Sequence, residues 1–312
     1  MFRHHHANIA WGLKEALPFV RLFRDKVFVV KAGGELFGSE EALRGLVGQV
    51  ALLHELGIRV VLAHGGGPQT SDLSRRLGLE PQMHQGRRIT DRATLDACKM
   101  SLNGQLGTDI VAALRGAGVP ACRISGVDGG LITARARAPQ TMVSGELIDW
   151  GEVGDVVAVD ARIIERLHGD HFVPVLSPLS ADENGRVLNV NADTVAAEVA
   201  RALGAAKLIF LTSVAGVMED RDDPSSLLSY LDLADLRALE ESGAIRDGML
   251  PKSRAIARAL EGGVERVHVI SYLMEDSLVL EVFTNEGCGT LIERVKKTSP
   301  AGENASAGEA AS

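Results

Sequence analysis

Two lysines, one aspartate and two glycine loops are the residues of this chain whose types and spacing suit chemistry on an anion. Lys31 closes the apolar run Val27-Phe28-Val29-Val30 and is followed, after Ala32, by Gly33-Gly34. A second apolar run, Ile58 to Ala63, leads into His64-Gly65-Gly66-Gly67. Strand ends that open into loops nearly bare of side chains leave backbone N–H groups free to meet phosphate oxygens, and a lysine adds a mobile positive charge. Lys252 follows Gly248-Met249-Leu250-Pro251, and Asp193 lies in Asn189-Val190-Asn191-Ala192-Asp193-Thr194, at the mouth of an apolar helix. Phosphoryl transfer asks for little covalent help; it needs two anionic reactants held in line and the charge on the moving group neutralised. Lys31 and Lys252 can supply that charge, and Asp193 can hold both ammonium groups or assist Mg2+. Taken singly, each residue also has a plainer reading: glycines make turns after strands, Asp193 caps its helix, and Lys252 is solvated surface. No G-x-x-x-x-G-K-[ST] pattern occurs, which removes the P-loop class, and no clean G-x-G-x-x-G follows the first strand, so a dinucleotide dehydrogenase has little support.

The elements that must position these residues alternate. Strand 27–30 is followed by a helix that Ser39 caps, with Glu40 and Glu41 in its first turn, running to about Glu55 before Gly57 ends it. Strand 58–63 and a helix over 69–77 complete a βαβα unit, which calls for a mostly parallel sheet between helices. Residues 81–90 are polar and basic, with Arg87 and Arg88 adjacent, and Thr90-Asp91 opens a long helix to about Arg115. After strand 121–125 the chain reads as hairpins to about Gly154; strand 155–159, helix 161–168 and strand 172–176 then restore the α/β rhythm. The polar turn 181–185 is the expected domain boundary. Beyond it come helix 195–203, strand 207–212, helices 232–242 and 253–261, strand 266–270 and an apolar stretch, 278–283. A helix over 8–24, with Pro18 inside it, precedes the first core strand and is expected to lie against the core or against another subunit. From Lys296 the composition is too polar to pack, and a disordered tail is expected.

The 312 residues carry a net charge of −8, an apolar fraction of 46% and a charged fraction of 24%, which fits an ordinary globular protein and gives no electrostatic support to nucleic-acid binding. No apolar run reaches the roughly 20 residues of a membrane span and no signal peptide opens the chain. Cys98, Cys122 and Cys288 are widely spaced, as in a reducing cytoplasm, and suggest neither a disulfide framework nor a zinc cluster. His4-His5-His6 is given no function.

Seven segments in order resemble the amino-acid kinase family, and within it the branch acting on N-acetyl-L-glutamate: Val29-Val-Lys-Ala-Gly-Gly34, His64-Gly-Gly-Gly-Pro-Gln69, Gly86-Arg-Arg-Ile-Thr-Asp91, Gly126-Val-Asp-Gly-Gly-Leu-Ile132, Asn189-Val-Asn-Ala-Asp-Thr194, Gly248-Met-Leu-Pro-Lys252 and Gly287-Cys-Gly-Thr290. The loop motifs are shared across the superfamily; the segments 86–91 and 189–194 are the more telling. The resemblance implies an α/β fold, a three-layer αβα sandwich around a mostly parallel sheet with an extra N-terminal helix. It implies an extension at 1–24, an acyl-amino-acid lobe at 25–180, an ATP lobe at 181–295 and a tail at 296–312. The implied reaction moves the ATP γ-phosphoryl group, with Mg2+ carried by ATP and no protein metal site, onto the acceptor's side-chain carboxylate in arginine biosynthesis. Lys31 and Lys252 would stabilise the transition state and Asp193 would organise them. Gly33, Gly34, Gly66 and Gly67 would bind oxyanions, Arg88 the α-carboxylate and Asn189 the acceptor; Thr212 and Lys252 would lie at the nucleotide. The N-terminal helix resembles that of arginine-inhibited members, where it interlaces dimers into a hexameric ring; the resemblance implies a homodimer or a homohexamer and a candidate arginine site at His268, Glu281 and Gly287.

Four departures from the family pattern stand out: Ala32 and Glu35 flank the glycine pair in place of Tyr and Asn, Val127 and Leu106-Gly107-Thr108 lack usual lysines, and Ser213 replaces an aspartate. Two alternatives stay open: a kinase of the same fold with another acceptor, of acetylaminoadipate type, and a non-catalytic arginine-sensing module related to acetylglutamate synthase. No acetyltransferase domain is read after residue 293.

Overall fold

The unbroken apolar run 27–30 is what a strand covered on both faces requires, and in the computed structural model the strand it starts is buried from Phe28 onward. The structure describes residues 2–84, 87–142, 145–220, 223–246 and 248–295; Gly86, the tail from Lys296, and the side chains of residues 2–11 (His4 to His6 among them) and of Pro224 lie outside it. In chain order the strands are β1 (Val27–Ala32), β2 (Arg59–His64), β3 (Ala121–Ser125), β4 (Ile132–Ala136), β5 (Gly154–Val159), β6 (Val173–Ser177), β7 (Leu179–Ala181), β8 (Val187–Asn189), β9 (Lys207–Thr212), β10 (Tyr230–Asp232), β11 (Arg266–Ser271) and β12 (Thr290–Glu293). The helices are α1 (Phe2–Phe23), α2 (Glu40–Glu55), α3 (Gly67–Arg76), α4 (Arg92–Cys98), α5 (Gly107–Gly116), α6 (Arg162–Gly169), α7 (Ala192–Ala202), α8 (Leu233–Glu241), α9 (Met249–Glu261) and α10 (Ser277–Phe283).

Eight strands form one sheet in the order β10-β12-β11-β9-β1-β2-β6-β3. Neighbours from β9 to β3 pair in parallel, as do β9 and β11; β12 pairs antiparallel to β11, so β10 and β12 run against the rest. On one side of β1 the chain lays β2, then β3 at the edge and β6 between them; it then returns to β1 and builds the other side from β9. The strand order therefore reverses between β1 and β9, and a crevice opens there at the carboxyl ends of the strands. One core cluster joins Val29, Val61 and Phe210 to α7 and α9. A second, on the opposite face, joins Phe28, Val30 and Leu62 to α2, α5 and α10. The mostly parallel sheet between helical layers is the expected fold.

Three local readings change. Strand 155–159 belongs not to the main sheet but to a four-stranded sheet of order β8-β7-β4-β5. Its alternate burial, with only Gly154 fully covered, marks a strand with one wet face. The polar turn 181–185 keeps its place, as the turn of the hairpin between β7 and β8, tightened by Asp182, which accepts from Asn184 N and Arg186 N at 2.9 Å each. The helix expected from Thr90 to Arg115 is interrupted by a wide-turn π stretch, Lys99–Leu106, between α4 and α5. Asp91 caps α4, accepting from Thr94 N at 2.7 Å. α1 begins earlier than its periodicity suggested, and Phe23 at its end packs edge-on against Phe28, with ring centres 5.2 Å apart.

Candidate active site

The pleat of β1 sends Phe28 and Val30 to one face and Val29 and Lys31 to the other, the face covered by α7 and α9. Lys31 Nζ stands 2.7 Å from Asp193 Oδ1 in the first turn of α7, and Lys252 Nζ, from the first turn of α9, stands 3.1 Å from Asp193 Oδ2. All three side chains are buried. Lys252 Nζ also sits 4.6 Å from the centre of the Phe210 ring, a cation–π contact. The cap of α7 is Asn191, which accepts from Thr194 N at 3.0 Å, so Asp193 is free of that duty; Lys252 is not surface. Burial alone would raise the Asp193 pKa, but the charges of Lys252 and Lys31 outweigh it and hold the carboxyl well below its usual range. Desolvation draws Lys252 below the usual ammonium value, with Asp193 opposing and Lys31 reinforcing the shift. One carboxylate between two ammonium groups leaves a buried excess of positive charge, which an incoming phosphoryl group would neutralise.

The two glycine loops meet because Gly34 has no side chain: a methyl there would stand 2.8 Å from Pro68 Cδ and 2.9 Å from Gly66 Cα. Gln69 Nε2 ties the loops by donating to Gly34 O at 2.7 Å. Gly66 precedes α3, and a methyl on it would run into Leu102 of the π stretch. The N-terminus of α3 and the backbone of Gly65, Gly66 and Gly67 thus face a cavity of about 540 Å3, an arrangement suited to oxyanions. His64, at the end of β2, is buried; burial lowers its pKa to about 4, and its neutral ring donates from Nδ1 to Gly65 O at 3.0 Å.

Arg88, Asn189 and Asp193 share that cavity with Gly66 and Gly67, whereas Gly33, Gly34 and Thr212 do not line it. Arg88 Nη2 donates to Gly67 O at 3.0 Å and Ser71 Oγ at 2.5 Å, while its buried Nη1 has no partner and remains available. Asn189 Nδ2 donates to Thr90 Oγ1 at 3.1 Å. The Thr212 hydroxyl turns onto the carbonyls of Val214 and Ile270, at 2.7 and 3.3 Å. Cys98 also lines the cavity, its thiol pushed up to about 11 by burial. Four arginines there were not assigned from sequence: Arg87, Arg137, Arg254 and Arg258. The Arg87-Arg88 doublet and the Arg254/Arg258 spacing were the available signals.

His268, Glu281 and Gly287 do come together, away from the glycine loops. Glu281 Oε1 lies 2.6 Å from His268 Nδ1, Cys288 N donates to Glu281 Oε2 at 2.7 Å, and Gly287 abuts the same carboxylate in a left-handed turn at φ 64°. Lys207 completes the group, its Nζ 2.8 Å from His268 Nε2 and 5.1 Å from the Phe23 ring of α1. Burial brings Lys207 down to about 8 and His268 to about 4; Glu281, which burial alone would raise, is held at about 2, chiefly by its hydrogen bond to His268.

The family model described as the amino acid kinase family matches residues 26–271. The chain belongs to the amino acid kinase family. It is 47% identical over 296 residues to acetylglutamate kinase of Myxococcus xanthus, covering 93% of this chain and 96% of that protein, and 42% identical over 280 residues to acetylglutamate kinase of Symbiobacterium thermophilum, covering 90% and 96%. Among solved structures, N-acetylglutamate synthase of Neisseria gonorrhoeae with coenzyme A and N-acetyl-glutamate superposes at a TM-score of 0.79 and 28% identity, covering 92% of this chain. This chain spans only 64% of that synthase. Carbamate kinase of Giardia lamblia bound to AMP-PNP, at 18% identity and a TM-score of 0.61 over 86% of this chain and 99% of its own, shares the fold. In this family member the glycine loops and the buried lysine–aspartate–lysine bridge occupy the crevice where the strand order reverses.

Proposed function

We propose that this family member is an acetylglutamate kinase, transferring the γ-phosphoryl group of ATP to the side-chain carboxylate of N-acetyl-L-glutamate and giving N-acetylglutamyl 5-phosphate, a step of arginine biosynthesis. The full-length relatives at 40% identity and above support the acceptor. The observation that carries the chemistry is the buried bridge in which Asp193 holds Lys31 and Lys252 together, beside a cavity rich in guanidinium groups. A carboxylate oxygen attacks phosphorus; the new O–P bond forms as the bond to the β,γ-bridging oxygen breaks, and ADP departs. The attacking carboxylate carries no proton, so no general base is needed, and Asp193 serves as an organiser. Lys31 and Lys252 flank the moving group and neutralise its charge. Both Asp193 oxygens being engaged by ammonium groups, Mg2+ is assigned to the ATP phosphates. Gly33, Gly34, Gly66 and Gly67 offer N–H groups to oxyanions, Arg88 takes the α-carboxylate through its free Nη1, and Asn189 contacts the acceptor. Residues 25–180 form the acceptor half and 181–295 the ATP half, with Thr212 near the nucleotide.

The test is ADP release coupled to trapping of the acyl phosphate by hydroxylamine, with N-acetylglutamate, N-acetylaminoadipate and glutamate as acceptors. N-acetylglutamate is expected to give the highest kcat/KM. Release of ADP that is fastest with another acceptor, or absent with all, refutes the reading. Control by L-arginine at His268, Glu281 and Gly287, assembly as a homohexamer through α1, and a cytoplasmic location complete the proposal. Undiminished activity at millimolar L-arginine together with the mass of a dimer would refute the first two.

A further inference from the structure

The acceptor cavity holds more positive charge than Arg88, the one residue so far assigned to the α-carboxylate, supplies. Five arginines line it against a single carboxylate besides Asp193, that of Asp155. Asp155 is already taken: Arg137 Nη2 and Nε donate to its two oxygens at 2.5 and 3.2 Å, and the Arg137 guanidinium rests over the Trp150 ring. Arg88 is fastened to Gly67 and Ser71. Arg87, Arg254 and Arg258 have no hydrogen-bond or ion-pair partner among the described residues. Arg87 comes from the short ladder that pairs Met83–His84 with Arg87–Arg88, and Arg254 from α9. The ladder and the helix both border the cavity, and the half-buried Arg87 is lowered in pKa by burial first and then by the charges of Arg137 and Arg254. Like charges gathered at a partly desolvated site repel one another unless an anion sits among them.

The geometry of α9 gives this surplus a specific use. Pro251, Arg254, Ala255 and Arg258 recur at helical spacing and line the cavity, while Lys252, one residue past Pro251, turns inward to Asp193. One turn of helix thus fixes a cation on the phosphoryl side and presents another to the acceptor. Resting on the acetylglutamate kinase reading, we propose that Arg254, with Arg87 from the facing ladder, is a specificity-determining pair that binds the acceptor's α-carboxylate alongside Arg88, so that the site selects dicarboxylate acceptors over monocarboxylates. Because Arg254 and Lys252 share the start of α9, a bound dicarboxylate also steadies the helix turn that carries Lys252.

The experiment compares wild type, Arg254→Gln and Arg254→Lys with two acceptors: N-acetyl-L-glutamate, and 4-acetamidobutanoate, which is the same molecule without its α-carboxylate. Arg254→Gln is expected to raise KM for N-acetylglutamate about 10- to 100-fold, the worth of a charge-assisted hydrogen bond, with kcat and the KM for ATP changed by less than about threefold. With 4-acetamidobutanoate the same substitution is expected to change kcat/KM by less than about twofold, and Arg254→Lys recovers part of the loss. Calorimetric titration of N-acetylglutamate in the absence of ATP gives a second readout: binding weakens in Arg254→Gln and loses part of its dependence on salt. Equal losses on both acceptors, or unchanged KM and unchanged calorimetric affinity for N-acetylglutamate, overturn the proposal. A wild type that binds N-acetylglutamate in an Arg254-dependent way yet phosphorylates neither acceptor refutes the kinase reading and leaves the Arg254 assignment standing.

Discussion

Replacing Asp193 by asparagine keeps the shape of the side chain and deletes the one negative charge between Lys31 and Lys252. At an effective dielectric constant of about 20, a carboxylate 2.7 Å from one ammonium and 3.1 Å from another attracts them by about 6 and about 5 kcal/mol. The net loss on removing one member of a buried ion pair is smaller, roughly 3–5 kcal/mol, because the stranded charges relax or shed a proton. Lys252 is the group this bears on most: desolvation already draws it down, and Asp193 is the main charge opposing that shift. Without the carboxylate the two ammonium groups repel one another unopposed and are held less firmly at the phosphoryl position, and kcat is expected to fall by about 10^2 to 10^3, the worth of one preorganised electrostatic contact. The loss has a signature. Loss of Asp193 strengthens the downward pull on Lys252 and lower pH favours its ammonium form, so the ratio of variant to wild-type kcat is expected to rise as the pH falls. Stability carries the opposite sign. The Asp193 carboxyl is held below its unfolded value of about 3.9, so its contribution is fully present at neutral pH and is lost only as acid protonates it. Wild type and variant thus differ most in denaturant midpoint near neutrality, and the difference begins to shrink only below about pH 4, closing as acid reaches the depressed folded value. The assays are hydroxamate-trapped kcat across pH and urea unfolding at matched pH. A variant with kcat within about threefold of wild type and a parallel pH profile would refute the electrostatic role given to Asp193.

Three further outcomes are expected. Gly34→Ala places a methyl 2.8 Å from Pro68 Cδ and forces the two glycine loops apart, so kcat/KM is expected to drop at least about tenfold, whereas Gly38→Ala, with open space around it, leaves activity unchanged; equal activities would show that the loops need not touch. Arg88→Gln removes the buried, unpartnered Nη1 and is expected to raise the acceptor KM by about 10- to 100-fold with a smaller change in kcat, which initial-rate kinetics will read. His64 and His268 are each lowered by burial to about 4, so the unfolded chain takes up their protons first and stability is lost as the pH falls from about 6.5 toward 4. Urea midpoints that stay level between about pH 7 and about pH 5 would contradict that burial.

How much of this was legible in the sequence depended on whether the cause was local. The apolar run 27–30 and the glycine pair after Ala32 announce a central strand and a bare turn within a few residues, and the strand stands where it was read. Strand 155–159 misled because its half-wet alternation matters only once its partner β4 is known. The π stretch was invisible because residues 90–115 keep enough apolar positions to read as one helix, while the wider winding answers to packing, with Leu102 pressed toward Gly66. Lys207 opens a strand like any charged residue; that it is buried depends on His268, Glu281 and Phe23, none of them near it in sequence. Arg254 and Arg258 have the spacing of a solvated helix face, and only the cavity opposite makes them something else. The lysine–aspartate–lysine bridge is the instructive case, because spacing along the chain says nothing about Lys31, Asp193 and Lys252 as a group. Their meeting follows from topology. Once β9 is laid on the far side of β1, the helix that feeds it, α7, must cross over β1, and the helix that follows, α9, must pack beside α7 on the same face. A lysine pointing to that face from the end of β1 then lies under the first turns of both helices, so the reversal of strand order that opens the crevice is also what assembles the charges within it.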